Sequence, residues 1–217
     1  MQQPISMRTI ERLSRYRRVL TDPSRQGVSY IFSHTLAALV QVTPSQVRRD
    51  IMGLGCAGNP TRGYRVEELL AAIATVVDDD QPQPVILVGI GKLGSALLNF
   101  FRGHRPNLQV VAAFDNNPEK VNRIYQGVRC YTLEDLPRIV AAERVSAAIL
   151  AVPATAAQEA ANQVVFAGVC GILNFAPAPL FLPAHVHVES IDLTTALEKV
   201  LFHTRHHALS SVVLNPR

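Results

Sequence analysis

The segment Gly89-Ile90-Gly91-Lys92-Leu93-Gly94 carries glycines at the spacing GxGxxG. It follows the apolar run Val85-Ile86-Leu87-Val88 and opens a pattern that suits a helix from about Lys92 to Phe101. Strand, glycine turn and helix in that order bring a pyrophosphate to a helix N-terminus. The first glycine permits the tight turn, the second lets phosphate approach the backbone, and the third permits close helix–strand packing. Asp115 ends a second apolar strand, 21 residues past Gly94. A carboxylate there accepts hydrogen bonds from the adenosine ribose and repels a 2′-phosphate. Asn116 and Asn117 follow it, with no arginine to neutralise such a phosphate. The expected cofactors are therefore NADH and NAD+, held by Gly89, Ile90, Gly91, Lys92, Leu93, Gly94 and Asp115. Two later segments, Ala151-Val152-Pro153 and Asn174-Phe175-Ala176-Pro177, end strands of the same region. Open α/β sheets bind ligands at carboxyl ends of strands, so Val152, Pro153, Asn174, Phe175 and Pro177 join the expected site.

A second constellation lies upstream. Thr43-Pro-Ser-Gln-Val-Arg-Arg-Asp50 reads as a capped helix, with Thr43 as N-cap and Pro44 at the first helical position. A short helix over residues 34–40, which Ser33 would cap, precedes it across a tight Gln41-Val42 connection. That pair forms a helix-turn-helix. Ser45, Gln46, Arg48 and Arg49 would face outward while Val47 and Ile51 face in. Arginine and glutamine make bidentate contacts to guanine and adenine edges, so this helix is a candidate reader of double-stranded DNA. The loop from Gly55 to Tyr64, with Gly58, Pro60 and Gly63, reads as a hairpin-like wing that presents Arg62. Charge agrees: residues 1–65 hold ten arginines, no lysine and three acidic residues, whereas the rest of the chain is mildly acidic. A basic first third points to a polyanion partner for that part only.

These sites need elements to position them. The chain has 217 residues, 48% of them hydrophobic and 18% charged, enough for two small domains with real cores. Upstream helical patterns span residues 7–22, 34–40, 44–54 and 66–77. The run Asp78-Asp79-Asp80-Gln81-Pro82-Gln83-Pro84 reads as a linker. Beyond it, strands at 85–88, 110–114, 128–131, 147–152, 171–174 and 186–188 alternate with helices at 92–101, 134–143, 155–167 and 192–206. Apolar strands alternating with helices predict a parallel, doubly wound sheet. The expected organisation is a winged helix-turn-helix over residues 1–80, a Rossmann-like domain over 84–190, and a terminal helix and tail over 191–217. No apolar run approaches the roughly 18–20 residues of a membrane span, and residues 1–18 lack the apolar core of a signal peptide. Cys56, Cys130 and Cys170 form no CxxC pair, which argues against a disulfide framework or zinc site and for a reducing cytoplasm. His203 and His207 stand four apart on the last helix without a third ligand, so no metal is expected.

The chain resembles the Rex family of redox-sensing transcriptional repressors over nearly its whole length. The resemblance rests on Thr43–Asp50, Gly63-Tyr-Arg-Val-Glu-Glu-Leu-Leu70, Val88–Leu97, Ala113-Phe-Asp115 followed by Pro118-Glu-Lys120, Val152-Pro-Ala, Gly171-Ile-Leu-Asn-Phe-Ala-Pro177 and Val188-Glu-Ser-Ile-Asp-Leu193. It implies a homodimer whose C-terminal helix swaps onto the partner subunit. It also implies operator binding in the apo or NAD+ state, release on binding NADH, and nicotinamide packing near Pro153 and Pro177. It places Arg18 near the partner's region around Asp192, which makes Arg18, Phe100 and Asp192 candidate switch residues. The chain departs from the family in three places. Gly53-Leu-Gly-Cys-Ala-Gly58 replaces an aromatic-rich stretch, Asn59-Pro-Thr-Arg-Gly-Tyr64 thins the basic wing to Arg62, and Phe100 stands where a tyrosine is usual. Two other readings share the sequence features. One is an NAD- or CoA-binding regulatory module without specific DNA binding. The other is a small NAD-dependent dehydrogenase, for which the sequence offers no Tyr-x-x-x-Lys pair and little chain for a substrate domain.

Overall fold

The structure is a computed structural model. It describes residues 5–22, 27–78, 81–102 and 107–213, with side chains in the last helix as far as Arg205. Asp79 and Asp80 of the linker, His104, and the side chains of His206 and His207 lie outside the described residues. Two compact units, Met1–Gln81 and Pro82–Arg217, divide the chain.

The first unit holds α1 (Met7–Leu20), β1 (Tyr30–Ile31), α2 (Ser33–Val40), α3 (Pro44–Gly53), β2 (Tyr64–Arg65) and α4 (Val66–Val77). Strands β1 and β2 pair antiparallel, and Asn59 and Gly63 exchange two backbone hydrogen bonds of 2.8 Å that close the expected wing. Leu13, Tyr16, Leu36, Val47, Ile51, Leu69 and Ile73 make one core, each nearly or fully buried. The apolar faces of the four helices meet there because their spacings keep one stripe inward. Helix α3 begins as expected: the Thr43 hydroxyl accepts from the Gln46 amide at 3.2 Å, and Pro44 occupies the first turn. Helix α2 does not. Its N-cap is Phe32, and Ser33 is the first helical residue, its hydroxyl accepting instead from the Arg48 guanidinium at 3.2 Å. The turn between α2 and α3 requires Gln41 to adopt the left-handed conformation (φ 56°, ψ 48°), where the Val42 amide bonds the Ala37 carbonyl at 3.0 Å.

The second unit holds β3 (Gln83–Val88), α5 (Lys92–Phe101), β4 (Leu108–Phe114), β5 (Ile124–Tyr125), β6 (Val128–Tyr131), a 3-10 turn (Leu133–Asp135), α6 (Leu136–Glu143), β7 (Ala147–Leu150), α7 (Ala154–Phe166), β8 (Gly171–Asn174), β9 (His187–Ser190) and α8 (Leu193–Val213). The seven-stranded sheet runs β5-β6-β4-β3-β7-β8-β9 and is parallel except for β5. Without β5 this is the doubly wound order in which the chain reverses direction beside the first strand. Helices α6 and α7 cover one face around Ile86, Val88, Phe114, Leu136 and Val164. Helix α5 packs on the other around Leu87, Leu97, Leu98 and Ala113.

Several boundaries differ from the sequence reading. Strand β7 stops at Leu150, so Ala151 and Val152 are already loop. Strand β9 runs to Ser190, and α8 extends beyond 206. Strand β5 is an additional element, joined to β6 by a two-residue turn with Gln126 at φ 50° and Gly127 at φ 84°. Two positive-φ residues between paired strands define the hairpin turn most compatible with strand twist.

Replacing Gln41 with glycine removes the left-handed penalty while adding freedom to the unfolded chain, and the first effect is the larger. Gln41→Gly should raise the unfolding free energy by up to about 1 kcal/mol. Chemical denaturation would measure it, and a loss of stability would show that the Gln41 side chain contributes more than its backbone costs.

Candidate functional site

The strands of the second unit end in one row. Val88 is level with Phe114 and Leu150, Phe114 with Tyr131, Leu150 with Asn174, and Asn174 with Ser190. The residues expected to touch the cofactor follow that row, apart from Asn174, which stands in it. Between β3 and β7 the loops part into a cleft of about 630 Å³, lined by Gly89, Gly91, Asp115, Asn116, Lys120, Val152, Pro153 and the start of α7 among others. Such a crevice at the carboxyl edge is where open α/β sheets hold ligands.

The three glycines have separate reasons. Gly89 sits at φ 97°, and a Cβ there would lie 2.5 Å from the Ala151 carbonyl oxygen. At Gly94 a Cβ would lie within 1.9 Å of the Gly89 carbonyl oxygen, so α5 packs on the turn only without a side chain. Gly91 has open space where its Cβ would stand, and that space belongs to the cleft. It is also the N-cap of α5, as Pro153 is of α7, and neither residue has a side chain able to cap. The first-turn amides of a helix lack intrahelical acceptors and favour anions. Two helix N-termini thus open onto one cleft.

Asp115 is 7% exposed. One carboxylate oxygen accepts from the Ile90 amide and the Lys120 ammonium, each at 2.9 Å, and the other accepts from the Asn117 amide at 2.9 Å. Burial pushes the carboxyl's pKa up, but Lys120 and the two amides outweigh it and hold the group below its ordinary value. Lys120 entered the sequence analysis only as part of a family motif, and its place against Asp115 was not foreseen because only an arginine was sought there. The Asn117-Pro118 turn returns the chain so that the residue five past Asp115 reaches its carboxylate.

Of the remaining expected cofactor residues, Asn174, Phe175 and Pro177 do not line this cleft. Asn174 is buried and ties its own loop, donating to the Ala178 carbonyl at 3.1 Å and accepting from the Ala176 amide at 3.0 Å. Phe175 packs against the core on the α5 side. Ile90 is buried under the turn, Lys92 and Leu93 begin α5 as exposed residues, and none of the three is a cleft wall.

In the first unit, Thr43, Ser45, Arg48, Arg49 and Arg62 are exposed and Gln46 partly so. Arg62 lies over the Tyr30 ring at 5.9 Å, which ties the wing to β1. Asp50, on the inner side of α3, is 6% exposed. It accepts from Arg12 through both oxygens at 2.6 and 2.8 Å, from the Tyr16 hydroxyl at 2.8 Å and from the Gln46 amide at 2.8 Å. Burial raises its pKa, and these donors overcome that and leave it lowered. Two signals could have revealed this network: an acid on the apolar side of α3, and the Arg12–Tyr16 pair one turn apart on α1.

Of the switch candidates, Arg18 is exposed on α1, and Phe100 is exposed on α5 with its ring edge-on to Phe101. Asp192 caps α8, accepting from the Thr195 amide at 2.9 Å and its hydroxyl at 2.7 Å.

Fold and sites together define a class: a winged helix-turn-helix DNA-binding unit joined to a Rossmann-like dinucleotide unit. Residues 4–51 match the family described as putative DNA-binding protein N-terminus, and residues 80–178 match the CoA binding domain. A redox-sensing transcriptional repressor Rex from Limosilactobacillus reuteri is 40% identical over 198 residues, 91% of each chain. RSP, described as a Rex-family repressor, is 30% identical, with a TM-score of 0.86 over 96% of this chain and 99% of its own. Its structure with NAD+ and operator DNA gives a TM-score of 0.85 over 97% of both chains, at 30% identity. Its structure with NADH gives 0.84 over 97% of this chain and 99% of RSP, at 29% identity. The chain belongs to the Rex family of redox-sensing transcriptional repressors.

Gly91→Ala should keep the fold and lose NADH binding, because its methyl group enters the cleft, whereas Gly94→Ala should lose the fold of the second unit. NADH titration beside circular dichroism distinguishes them, and unchanged NADH binding by Gly91→Ala would remove the proposed site. For the first unit, Asp50→Asn should cost on the order of 2 kcal/mol at neutral pH. The native Asp50 pKa is lowered, so its contribution is complete above the unfolded pKa of about 4 and is lost as pH falls through the folded value. Thermal unfolding of the two proteins should therefore converge in acid, and a gap independent of pH would contradict the role of the Asp50 charge.

Proposed function

We propose that this protein is a redox-responsive repressor that binds operator DNA through α3 and the wing and releases it when NADH enters the cleft of the second unit. The observation that carries the reading is the cleft itself: open space at Gly91 beside two uncapped helix N-termini, with the buried Asp115 carboxylate in its wall. The occurrence of RSP structures with NAD+ and operator DNA and with NADH supports it. Residues 1–80 form the DNA-binding domain, 84–190 the cofactor domain and 191–217 the dimerisation segment.

Helix α8 supports a homodimer. Every side chain from Ile191 to Arg205 is exposed. Leu193, Leu197, Val200 and Leu201 make a stripe along it at helical spacing, 45–62% exposed. An amphipathic helix with a bare apolar stripe needs a cover, and a second copy supplies one by exchanging the helix. Arg18, Phe100 and Asp192 are the residues through which cofactor binding would alter the arrangement of the two DNA-binding units. Phe100 lacks the hydroxyl usual there, so its part is packing. The protein acts in the cytoplasm and catalyses no reaction, in keeping with curated relatives named as repressors.

The CoA-binding match keeps a second ligand in view. CoA carries a phosphate on the adenosine ribose, as NADPH does, and both would meet the Asp115 carboxylate. Lys120 lies against that carboxylate and reduces the repulsion, so NADH should bind better than NADPH or CoA by a moderate margin. Asp115→Ala should narrow the margin and Lys120→Ala should widen it. Calorimetry with the three ligands tests this, and equal affinity of the native protein for NADH and NADPH would count against Asp115 as selector. The function itself is tested by gel-shift on a palindromic operator library with NADH and with NAD+, where persistence of the complex under saturating NADH would refute release.

A further inference from the structure

Gln46 stands on the outer side of α3 where an adenine-reading glutamine would stand, but its amide is committed elsewhere. Its nitrogen donates to an Asp50 oxygen at 2.8 Å, and its oxygen accepts from the Arg49 guanidinium at 2.8 Å. The orientation of this amide follows from chemistry: an ionised carboxylate only accepts, so Gln46 must turn its NH2 group toward Asp50 and its oxygen away. Asp50 cannot move to release it, because the Arg12 fork and the Tyr16 hydroxyl hold both its oxygens from α1. A chain of hydrogen bonds therefore runs from the buried face of the unit through Asp50 and Gln46 to the exposed guanidinium of Arg49.

We infer that Gln46 is a positioning residue that sets the aim of Arg49, with Asp50 as its anchor. This rests on the reading of α3 as the DNA-contacting helix. Bidentate recognition of adenine needs both the oxygen and the nitrogen of a glutamine amide, and here neither is available without breaking the anchor. Arg49 spends one of its five N–H donors on Gln46 and keeps the rest of its fork for O6 and N7 of a guanine. A guanidinium held in one rotamer before binding loses less freedom on contact than a free one and discriminates base edges more sharply. Arg48 is held separately, by the Ser33 hydroxyl at 3.2 Å, so the two neighbouring arginines are aimed by different supports.

The test uses the full-length protein and a duplex selected from a palindromic library by the native chain, with a panel in which each base pair of that duplex is changed in turn. Gln46→Met keeps length and helix propensity and removes both polar atoms. It should weaken binding to the selected duplex by about tenfold, flatten preference at the base pair that Arg49→Ala also flattens, and leave the salt slope unchanged because no charge is lost. In an Arg49→Ala background Gln46→Met should have no further effect. If its loss persists there, Gln46 reads DNA itself and the positioning role is overturned. If it weakens all duplexes equally, the effect is on the fold or on phosphate contact, and the role is likewise overturned. If Arg49→Ala changes nothing on any duplex, the assignment of α3 fails and takes this inference with it.

Discussion

The carbonyl oxygen of Gly89 occupies the place where a side chain at position 94 would begin, and the cofactor unit is arranged around that contact. Because α5 can press against the turn, its N-terminus ends at the same level as the β3 strand end. The Gly89 amide then bonds the Phe114 carbonyl and the Ala151 amide bonds the Val88 carbonyl, each at 2.8 Å. These bonds hold the three central loops at one height. The Ile90 amide reaches back to Asp115, so that carboxylate is anchored by the glycine turn itself. The Asp115 carboxylate and the glycine turn are consequently one rigid object, their spacing set before any ligand arrives.

The first unit solves a different problem. A surface meant for a polyanion needs cations, and crowded arginines repel one another unless some are neutralised. Acids neutralise several of them: buried Asp50 against Arg12, Asp78 against Arg17, and exposed Glu11 against Arg15. Arg48, Arg49 and Arg62 are instead supported by neutral partners: Ser33, Gln46 and the Tyr30 ring. A neutral support directs a guanidinium without cancelling its charge. The distribution of partners thus separates arginines whose charge is matched by an acid from those whose charge is not.

Much of this was legible in the residues. The α4, α5, β6 and β8 boundaries follow from apolar periods bounded by glycine, proline or polar residues, and Thr43-Pro44 marks the start of α3. The glycine roles were readable because GxGxxG stood between a strand and a helix. The errors share a cause, which is that partners distant in sequence decide what a local pattern leaves open. Ser33 has the composition of a cap, but the approach of Arg48 fifteen residues later takes its hydroxyl. Asn174 sits at a strand end that suggests a ligand, and the fold also gives its amide the task of tying its own loop. Strand β5 is two residues long and its turn carries Gln126 rather than the asparagine that advertises such hairpins. Lys120 stood in a family motif, but its pairing with Asp115 was not legible because only the folded turn brings the two together.

For a cofactor to control DNA binding, it must bind one arrangement of the protein more tightly than the other, and tight binding alone achieves nothing. NADH and NAD+ share the adenosine and pyrophosphate that the glycine turn and Asp115 would hold, so those contacts supply affinity to both. Discrimination must come from the nicotinamide end, where one ring is charged and planar and the other is neutral and puckered. The loop after β7 gives the cleft an apolar wall in Ala151, Val152 and Pro153. An apolar setting disfavours the charged ring through desolvation and accepts the neutral one. By linkage the factor by which NADH weakens DNA binding equals the factor by which DNA weakens NADH binding. The rigid adenosine site can therefore be strong without blunting the response, because its contribution cancels from the ratio that the redox state alters.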